Sequence, residues 1–421
     1  MSLLVLHRFG LEPFHYATWV ADADGDVVLL ADRNKILAAG EECPVSLPGY
    51  AHFEAFDDFD SASVYSRALE LAEKYQVTHV LAYHEADLIR AARLRDQLGL
   101  EGQKPADVPR WRDKVLMKRR LRAAGIEVAP HELATDVERV RAFGDRHGLP
   151  LVFKSRDGYG SIGLRIVRSS DELDELLRQE YPTGAVRRQD LLMEAFVPGK
   201  MCHVDGLVAQ GRTVMAWPSQ YQYDLASFQQ DPKARIDVTL DEDDPLTPRL
   251  LALCDEALTA LQGPQTYPFH AEIFHTPDDR LVFCEVACRP GGARIREAQT
   301  AVFGVNPAEY AARAHVGLDL PGVPAQGRMA PRQMSGQALM MKRPGRVVAM
   351  PQYPAEDWVE FCGLFAEPGQ VLGDAAISSD FLIAAVASAP SRVECERRLR
   401  QLGDRFEAEV VIEPMSAEGH R

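Results

Sequence analysis

Two glutamates near residue 280 carry the clearest chemical signal in this 421-residue chain. The segment 277–280 combines proline, aspartate and arginine in an order typical of a tight turn. A hairpin centred between the two aspartates of this turn would make Glu272 and Glu285 direct cross-strand neighbours on one face. Carboxylates held about 5 Å apart repel each other, so we expect a cation between them. Oxygen-only ligands on a rigid hairpin favour Mg²⁺ or Mn²⁺, the ions that accompany nucleotide phosphates.

The same strand face carries further polar groups, because strand side chains alternate between two faces. Arg289 shares the face of Glu285 and could reach a phosphate or carboxylate beside the cation. His270 shares the face of Glu272. The chain continues as Gly291-Gly292, whose backbone N–H groups could contact an anion. The residues alone also fit a second interpretation, an exposed hairpin face with two solvated glutamates and an arginine ion pair.

A glycine-rich segment contains Gly158, Gly160 and Gly163 and follows a predicted strand with the sequence LVFK. A dinucleotide site would require a helix directly after the third glycine. Here the chain continues as a second strand, so we predict a strand–loop–strand hairpin that folds over phosphates through backbone N–H groups. Lys154 ends the first strand and could neutralise phosphate charge. A mobile glycine-rich hairpin beside a solvated lysine is the alternative.

The elements that would position these residues follow from the periodicity of apolar residues. Residues 1–100 alternate short apolar strands with helical patterns, which predicts βαβ units and a parallel sheet. A helix is predicted from Arg112 to Gly125. Residues 228–246 are polar, acidic and proline-bearing, and we predict a long loop there, a candidate lid. The apolar pattern of the residues after 325 predicts a small α+β unit that ends in a helix and a strand.

Composition limits the classes of function. The net charge of −15 argues against a general binder of nucleic acid or anionic membranes, which needs clustered Lys and Arg. No apolar run is long enough to predict a transmembrane helix, and the first residues do not fit a signal peptide. Seven scattered cysteines without a CxxC motif fit a reduced cytoplasm. We therefore expect a cytoplasmic protein without nucleic-acid or membrane partners.

Five segments, taken in order, resemble the ATP-grasp superfamily, in particular its carboxylate–amine (L-amino-acid) ligase branch. They are RDKVLMK, LVFKSRDGYGSIG, LLMEAFVPGK, FHAEIF and CEVACRPGG. The N-terminal stretch THVLAYHEADLIRAARLRDQLGLEGQ is also similar to the family's lobe that precedes the ATP-binding region. The resemblance covers nearly the whole chain, and the order and spacing of the segments make it specific.

The resemblance implies a multidomain α/β and α+β fold of the ATP-grasp type. We expect an N-terminal Rossmann-like βαβ domain at 1–105 and an ATP-grasp domain at 106–325. Within the latter, an ATP-binding lid subdomain would span about 130–197 and a metal and substrate subdomain about 198–325. A small C-terminal α+β subdomain is expected at 326–421.

The resemblance also implies roles for individual residues. The implied nucleotide contacts are Lys114, Lys154, Gly158, Gly160, Ser161, Gly163, Glu194, Phe196, Val197 and His203. Glu272 and Glu285 are implied as ligands of Mg²⁺ or Mn²⁺. Arg289 is implied as the catalytic residue that stabilises phosphoryl or acyl-phosphate oxygens. The candidate substrate contacts are His270, Gly291, Gly292, Ala293 and Arg294, with Glu85 from the N-terminal lobe.

Two positions depart from the family pattern. Many relatives have an asparagine where Ala287 stands, so one metal oxygen is missing here. A glutamate that contacts the ribose is replaced by Met201, which leaves the sugar to His203 or to another group. A purely structural role of His203 in its strand is the alternative.

The implied function is an ATP-dependent carboxylate–amine ligase. Mg-ATP would activate a carboxylate as an acyl phosphate, and an amine would attack it to form an amide or peptide bond with release of ADP and phosphate. Amino acids or a small peptide are the expected carboxylate and amine substrates, and a homodimer is left open. The alternatives are an ATP-grasp carboxylase, a thioester-forming ligase, a phosphotransferase and a non-catalytic ATP-binding protein.

Overall fold

The N-terminal residues form a four-stranded parallel sheet in the order β3-β2-β1-β4. The computed structural model describes residues 1–182, 187–223, 233–375, 377 and 379–414. The first elements are β1 (Leu3–His7), α1 (Tyr16–Trp19), β2 (Val27–Asp32), α2 (Arg33–Ala38), β3 (His52–Phe56), α3 (Ala62–Lys74), β4 (His79–Ala82), a 3₁₀ turn (Glu85–Asp87) and α4 (Leu88–Gln97). The predicted βαβ pattern is confirmed. Strand β3 was not predicted, since its residues HFEAF contain no apolar run.

A second sheet of four strands, in the order β5-β8-β6-β7, follows two short helices. Its region comprises α5 (Pro109–Arg112), α6 (Lys114–Ala123), β5 (His131–Leu133), α7 (Val137–His147), β6 (Leu151–Ser155), β7 (Arg165–Val167), α8 (Ser170–Glu180) and β8 (Leu191–Ala195). The helix predicted from Arg112 begins instead at Lys114. Asp113 is extended, and its carboxylate accepts hydrogen bonds from the N–H groups of Val115 and Leu116, which caps the new helix.

The centre of the molecule is an eight-stranded sheet in the order β13-β12-β9-β10-β11-β14-β18-β16. The remaining elements are β9 (Lys200–Ala209), β10 (Arg212–Tyr221), β11 (Arg235–Thr239), α9 (Leu246–Leu261), β12 (Tyr267–His275), β13 (Leu281–Ala287), α10 (Ile295–Phe303), α11 (Pro307–His315), β14 (Met334–Met341), β15 (Gly345–Ala349), β16 (Val359–Leu364), β17 (Val371–Leu372), β18 (Phe381–Ala389), α12 (Arg392–Glu409) and β19 (Val411–Glu413). A small third sheet has the order β17-β15-β19.

The long loop predicted for residues 228–246 is wrong at 235–239, whereas residues 240–245 have no helix or strand. Residues 228–232 lie outside the described residues, but 235–239 form β11, an inner strand hydrogen-bonded to β10 and β14. The loop was predicted because charged residues are usually solvated, but Arg235 and Asp237 are each only 2% exposed. They belong to a polar face of the sheet and not to a solvated loop.

Strand pairing continues past residue 325, since β14 and β18 extend the same sheet that contains β9 to β13. The largest apolar cluster joins residues of the N-terminal sheet, such as Leu29, to Val238 and to Leu382 near the C-terminus. The division into domains stays a prediction. Among the described residues, no helix is long and apolar enough to cross a membrane.

Candidate functional site

The two glutamates of the β12–β13 hairpin lie opposite each other. Glu272 and Glu285 are direct cross-strand partners, which confirms the predicted register at this point. Towards the turn the register shifts by one residue at a bulge after Glu272, so that Ile273 faces Phe283. The tight turn predicted between the two aspartates is therefore wrong. The connection is longer, and the bulge restores the glutamate pair.

Two lysines approach the carboxylate of Glu285. The Nζ atoms of Lys114 and Lys154 lie 3.7 Å and 3.5 Å from its Oε2 atom. Burial alone would raise the pKa of Glu285, but Lys114, Lys154 and Lys118 together lower it to about 2. The structure thus provides part of the positive charge that the paired carboxylates require.

A third lysine, which the sequence analysis did not assign, completes this charge cluster. Lys118 is fully buried and donates to the carbonyl oxygen of Cys284 at 2.7 Å. Its Nζ atom also lies 3.1 Å from Glu194, whose other oxygen lies 3.1 Å from Lys154. Lys118 follows Lys114 by one helical turn on the same face of α6, and this spacing was the available signal.

Glu194 has a different environment from the one predicted at the adenine. Both of its carboxylate oxygens face lysines, and the side chain is 5% exposed. Burial would raise the pKa of Glu194, but Lys118 and Lys154 lower it below the ordinary value. Glu194 therefore positions Lys154, and its contact with adenine stays a prediction. Phe196 and Val197 follow β8 and are half-buried.

The glycine-rich segment joins β6 and β7, which pair antiparallel, so the predicted strand–loop–strand hairpin is confirmed. Gly160, Ser161 and Gly163 have positive φ angles of 65°, 59° and 70°. Lys114 donates from Nζ to the carbonyl oxygen of Gly158 at 2.6 Å. This bond holds the base of the loop against the start of α6 and beside Glu285.

Arg289 is bound to the 3₁₀ turn that follows β4 of the N-terminal sheet. Its Nε atom donates to Glu85, which is buried and also lies 3.0 Å from Arg112. Burial would raise the pKa of Glu85, but Arg289 and Arg112 lower it. Glu85 therefore orients Arg289. The contact joins the turn after β4 to the end of β13, which are far apart in the sequence.

A buried His–Asp network lies on the same sheet face as the glutamates. His203 bridges Asp205 and Asp237, at 2.5 Å and 2.9 Å, and His270 pairs with Asp205 at 2.9 Å. Burial would lower the pKa of both histidines, but the aspartates raise that of His203 to about 10 and that of His270 to about 9. His270 Nε2 also lies 3.6 Å from Glu272.

This network bears on the predicted nucleotide contact of His203 and on the binding of a metal ion. His203 was predicted at the ribose, yet both of its ring nitrogens are occupied by aspartates. The ligand atoms of His203, Asp205 and His270 lie within 4.8 Å of one another, which is close enough to hold a metal ion. Their mutual hydrogen bonds already satisfy them, so the arrangement fits protonated histidines between carboxylates at least as well.

The segment after Arg289 lies over the His–Asp network. A Cβ atom at Gly291 would come within 2.4 Å of Asp205 Oδ1, so the close approach requires glycine. Gly292 and Ala293 are exposed, and Ala293 has a positive φ of 52°. The N–H group of Arg294 donates to Gln337 at 2.9 Å, which ties the segment to β14.

The chain resembles known proteins in sequence over parts of its length. Residues 113–208 match the family model described as carbamoyl-phosphate synthase L chain, ATP binding domain. The chain is 26% identical over 247 residues to an L-arginine-specific L-amino acid ligase of Bacillus subtilis, covering 58% of this chain and 59% of the relative. It is 28% identical over 200 residues to a D-alanine–D-alanine ligase of Arthrobacter sp. (strain FB24), covering 42% and 50%. The chain thus spans about half the length of these relatives.

Solved structures resemble the whole chain. An L-amino acid ligase from Bacillus licheniformis has a TM-score of 0.75 at 17% identity and covers 99% of both chains. The biotin carboxylase domain of Hydrogenobacter thermophilus 2-oxoglutarate carboxylase, in complex with MgADP, ADP and bicarbonate, has a TM-score of 0.70 at 15% identity, covering 97% of this chain and 90% of that one. At these identities the likeness shows the fold alone, and it confirms the predicted fold class.

Proposed function

We propose that this chain, which belongs to the ATP-grasp superfamily, is an ATP-dependent carboxylate–amine ligase that forms an amide or peptide bond. The observation that carries the proposal is the cluster at Glu285, where a carboxylate paired with Glu272 faces two buried lysines. Such a cluster combines oxygen donors for a metal with positive charge for phosphates. The similarity to L-amino acid ligases supports the ligase branch.

The residues fit Mg-ATP. Glu272 and Glu285 offer carboxylate oxygens from adjacent strands, the donor type that Mg²⁺ prefers, and Mn²⁺ fits the same donors. Bound there, the ion would neutralise phosphate charge. Ala287 adds no oxygen, so these carboxylates favour a single ion. Lys114 and Lys154 would contact phosphate oxygens, and the N–H groups of the glycine-rich loop would cover them.

The charges of the chain suit formation of an acyl phosphate. A substrate carboxylate and ATP repel each other, and Arg289 would offset this repulsion beside the transferred phosphoryl group. Glu85 holds the guanidinium of Arg289 in place. Gly291 and its neighbours would keep the activated carboxylate close to the His–Asp network. The attacking amine then displaces phosphate, and the products are the amide, ADP and inorganic phosphate.

The proposal includes amino acids or a small peptide as substrates, a cytoplasmic location and a homodimer. Sedimentation of the purified protein would test the dimer. The test of the activity is release of ADP and phosphate with pairs of amino acids and Mg²⁺, with the product identified by mass spectrometry. Glu285→Gln should abolish release, whereas Glu242→Gln, at an exposed position, should leave it unchanged.

Other results would contradict the ligase. ADP formation that depends on bicarbonate instead of an amine would indicate a carboxylase. A phosphorylated product without free phosphate would indicate a phosphotransferase. Stabilisation by ATP without turnover, across acids and amines, would indicate a non-catalytic protein.

A further inference from the structure

Asp237 is a buried carboxylate with one oxygen left over. The residue is 2% exposed and lies in β11, between β10 and β14. Its Oδ2 atom lies 2.9 Å from His203 Nε2 and accepts from Gln337 Nε2 at 3.0 Å. Its Oδ1 atom is buried, and within the described residues it has no hydrogen-bond partner. Buried carboxylate oxygens are ordinarily paired, so this one requires an explanation.

The position of Asp237 relates it to the proposed active site. Glu272 pairs with Glu285 on one side and with His203 on the other. His203 reaches across to Asp237, so one row of polar side chains runs from the glutamate pair to β11. Gln337 then connects Asp237 to the backbone of Arg294. Strand pairing and hydrogen bonds thus link Asp237 both to the glutamate pair and to the segment after Arg289.

The groups described around Asp237 leave its Oδ1 atom without a hydrogen-bond donor. His203 is hydrogen-bonded to both Asp237 and Asp205. His270 is hydrogen-bonded to Asp205 and not to Asp237. Gln337 is neutral. Arg235 precedes Asp237 on the same strand face, but its guanidinium stacks on the ring of Tyr223 at 4.1 Å. An N–H group of a cation would complete the coordination of Oδ1 and add a charge-assisted hydrogen bond.

We propose that Oδ1 of Asp237 receives the cationic group of an amino-acid substrate. The inference rests on the proposed function and specifies its substrate class. Two cations have the required chemistry, the α-ammonium group that all amino acids carry and a basic side chain such as guanidinium. Both donate several N–H groups to a carboxylate. In either case the uncharged analogue of the substrate leaves the buried oxygen unpaired, so the site discriminates against it.

Four probes of matched length separate the two cations. L-Arginine carries both, L-norvaline only the α-ammonium group, 5-guanidinopentanoate only the guanidinium, and pentanoate neither. Their binding is measured by calorimetry on the full chain, wild type and Asp237→Asn, with Mg²⁺ and ADP present. Asp243→Asn, at an exposed position in the same acidic stretch, is the matched control and should bind like wild type. Melting temperature and ADP affinity show that each variant is folded.

Asp237→Asn should weaken the recognised probes at least tenfold and leave pentanoate unchanged. Loss for L-arginine and L-norvaline identifies the α-ammonium group, and loss for L-arginine and 5-guanidinopentanoate identifies the side chain. Unchanged binding of all four, equal loss of all four, or no binding to the wild type overturns the proposal. ADP release measured in parallel separates the two inferences. Charge-dependent binding without turnover contradicts only the ligase, whereas turnover that ignores the substitution contradicts only the role of Asp237.

Discussion

Replacement of Lys118 by methionine tests the charge cluster at its most buried point. Methionine keeps most of the side-chain volume and removes only the ammonium group. The carbonyl of Cys284 loses its side-chain donor and Glu194 loses one of its two lysines. Removing one partner of a buried ion pair destabilises by about 3–5 kcal/mol. Lys154 stays 3.1 Å from Glu194, so we expect the lower end, about 3 kcal/mol.

The expected result is a clear fall in thermal stability. For a chain of 421 residues the entropy of unfolding is about 0.9 kcal/mol/K, so a loss of about 3 kcal/mol lowers the melting temperature by roughly 3–4 °C. Differential scanning calorimetry at fixed protein concentration measures it. Arg120→Met is the matched control, since it removes an exposed cation from the same helix and should change stability by less than about 0.5 kcal/mol.

A double variant separates charge from packing. In Lys118→Met/Glu194→Met the carboxylate that lost its partner is also removed, and Lys154 keeps Glu285 at 3.5 Å. At least half of the lost stability should return, because an apolar pair replaces an incomplete ion pair. A single variant as stable as the control, or a double variant that loses the sum of both changes, would refute the reasoning.

Three further predictions concern the same region. The pKa of Glu285 is lowered from 4.5 to about 2 in the folded chain. Its negative charge therefore stabilises the folded state fully above pH 4.5, and this stabilisation is lost as the pH falls towards 2. The difference in melting temperature between wild type and Glu285→Gln should shrink over that pH range. Gly291→Ala should weaken binding of the acid substrate about tenfold while ADP affinity stays constant, because the added Cβ would clash with Asp205. Gly292→Ala is the control, since its Cβ meets no atom within 4 Å and should leave both affinities unchanged in the same titration. Ala287→Asn should lower the Mg²⁺ concentration for half-maximal ADP release several-fold, since an amide oxygen would join the carboxylates; an unchanged requirement would show that position 287 does not face the ion.

The sequence predicted the parts of the site that depend on local patterns. The turn signal predicted the hairpin and the pair of Glu272 with Glu285, but this pair depends on a bulge that compensates for a longer connection and that could not be foreseen. Glycines followed by a strand were enough to predict a strand–loop–strand hairpin in place of the strand–loop–helix unit of a dinucleotide site. In each case the partners lie within about twenty residues, so local geometry fixes the contact.

The remaining parts depend on distant pairing. Asp237 was assigned to a loop because charged residues are usually solvated. In the structure its strand pairs with β14, and Gln337, about 100 positions later in the chain, donates a hydrogen bond to its carboxylate. The contact of Glu85 with Arg289 likewise joins two regions that no periodicity relates. The role of Lys118 in the charge cluster was not predicted for another reason. A lysine one helical turn after Lys114 is ordinarily part of a solvated helix face, whereas Lys118 is fully buried.

The place of β11 in the central sheet determines how the chain can be divided. Its backbone is hydrogen-bonded to β10 on one side and to β14 on the other. A chain shortened at residue 325 would lose β14 and turn β11 into an open edge, ready to pair with other molecules. Such a fragment would aggregate, and exchange of modules between homologous enzymes should cut elsewhere. The better place is the 98–108 stretch, which joins the N-terminal sheet to α5 without crossing a strand pair.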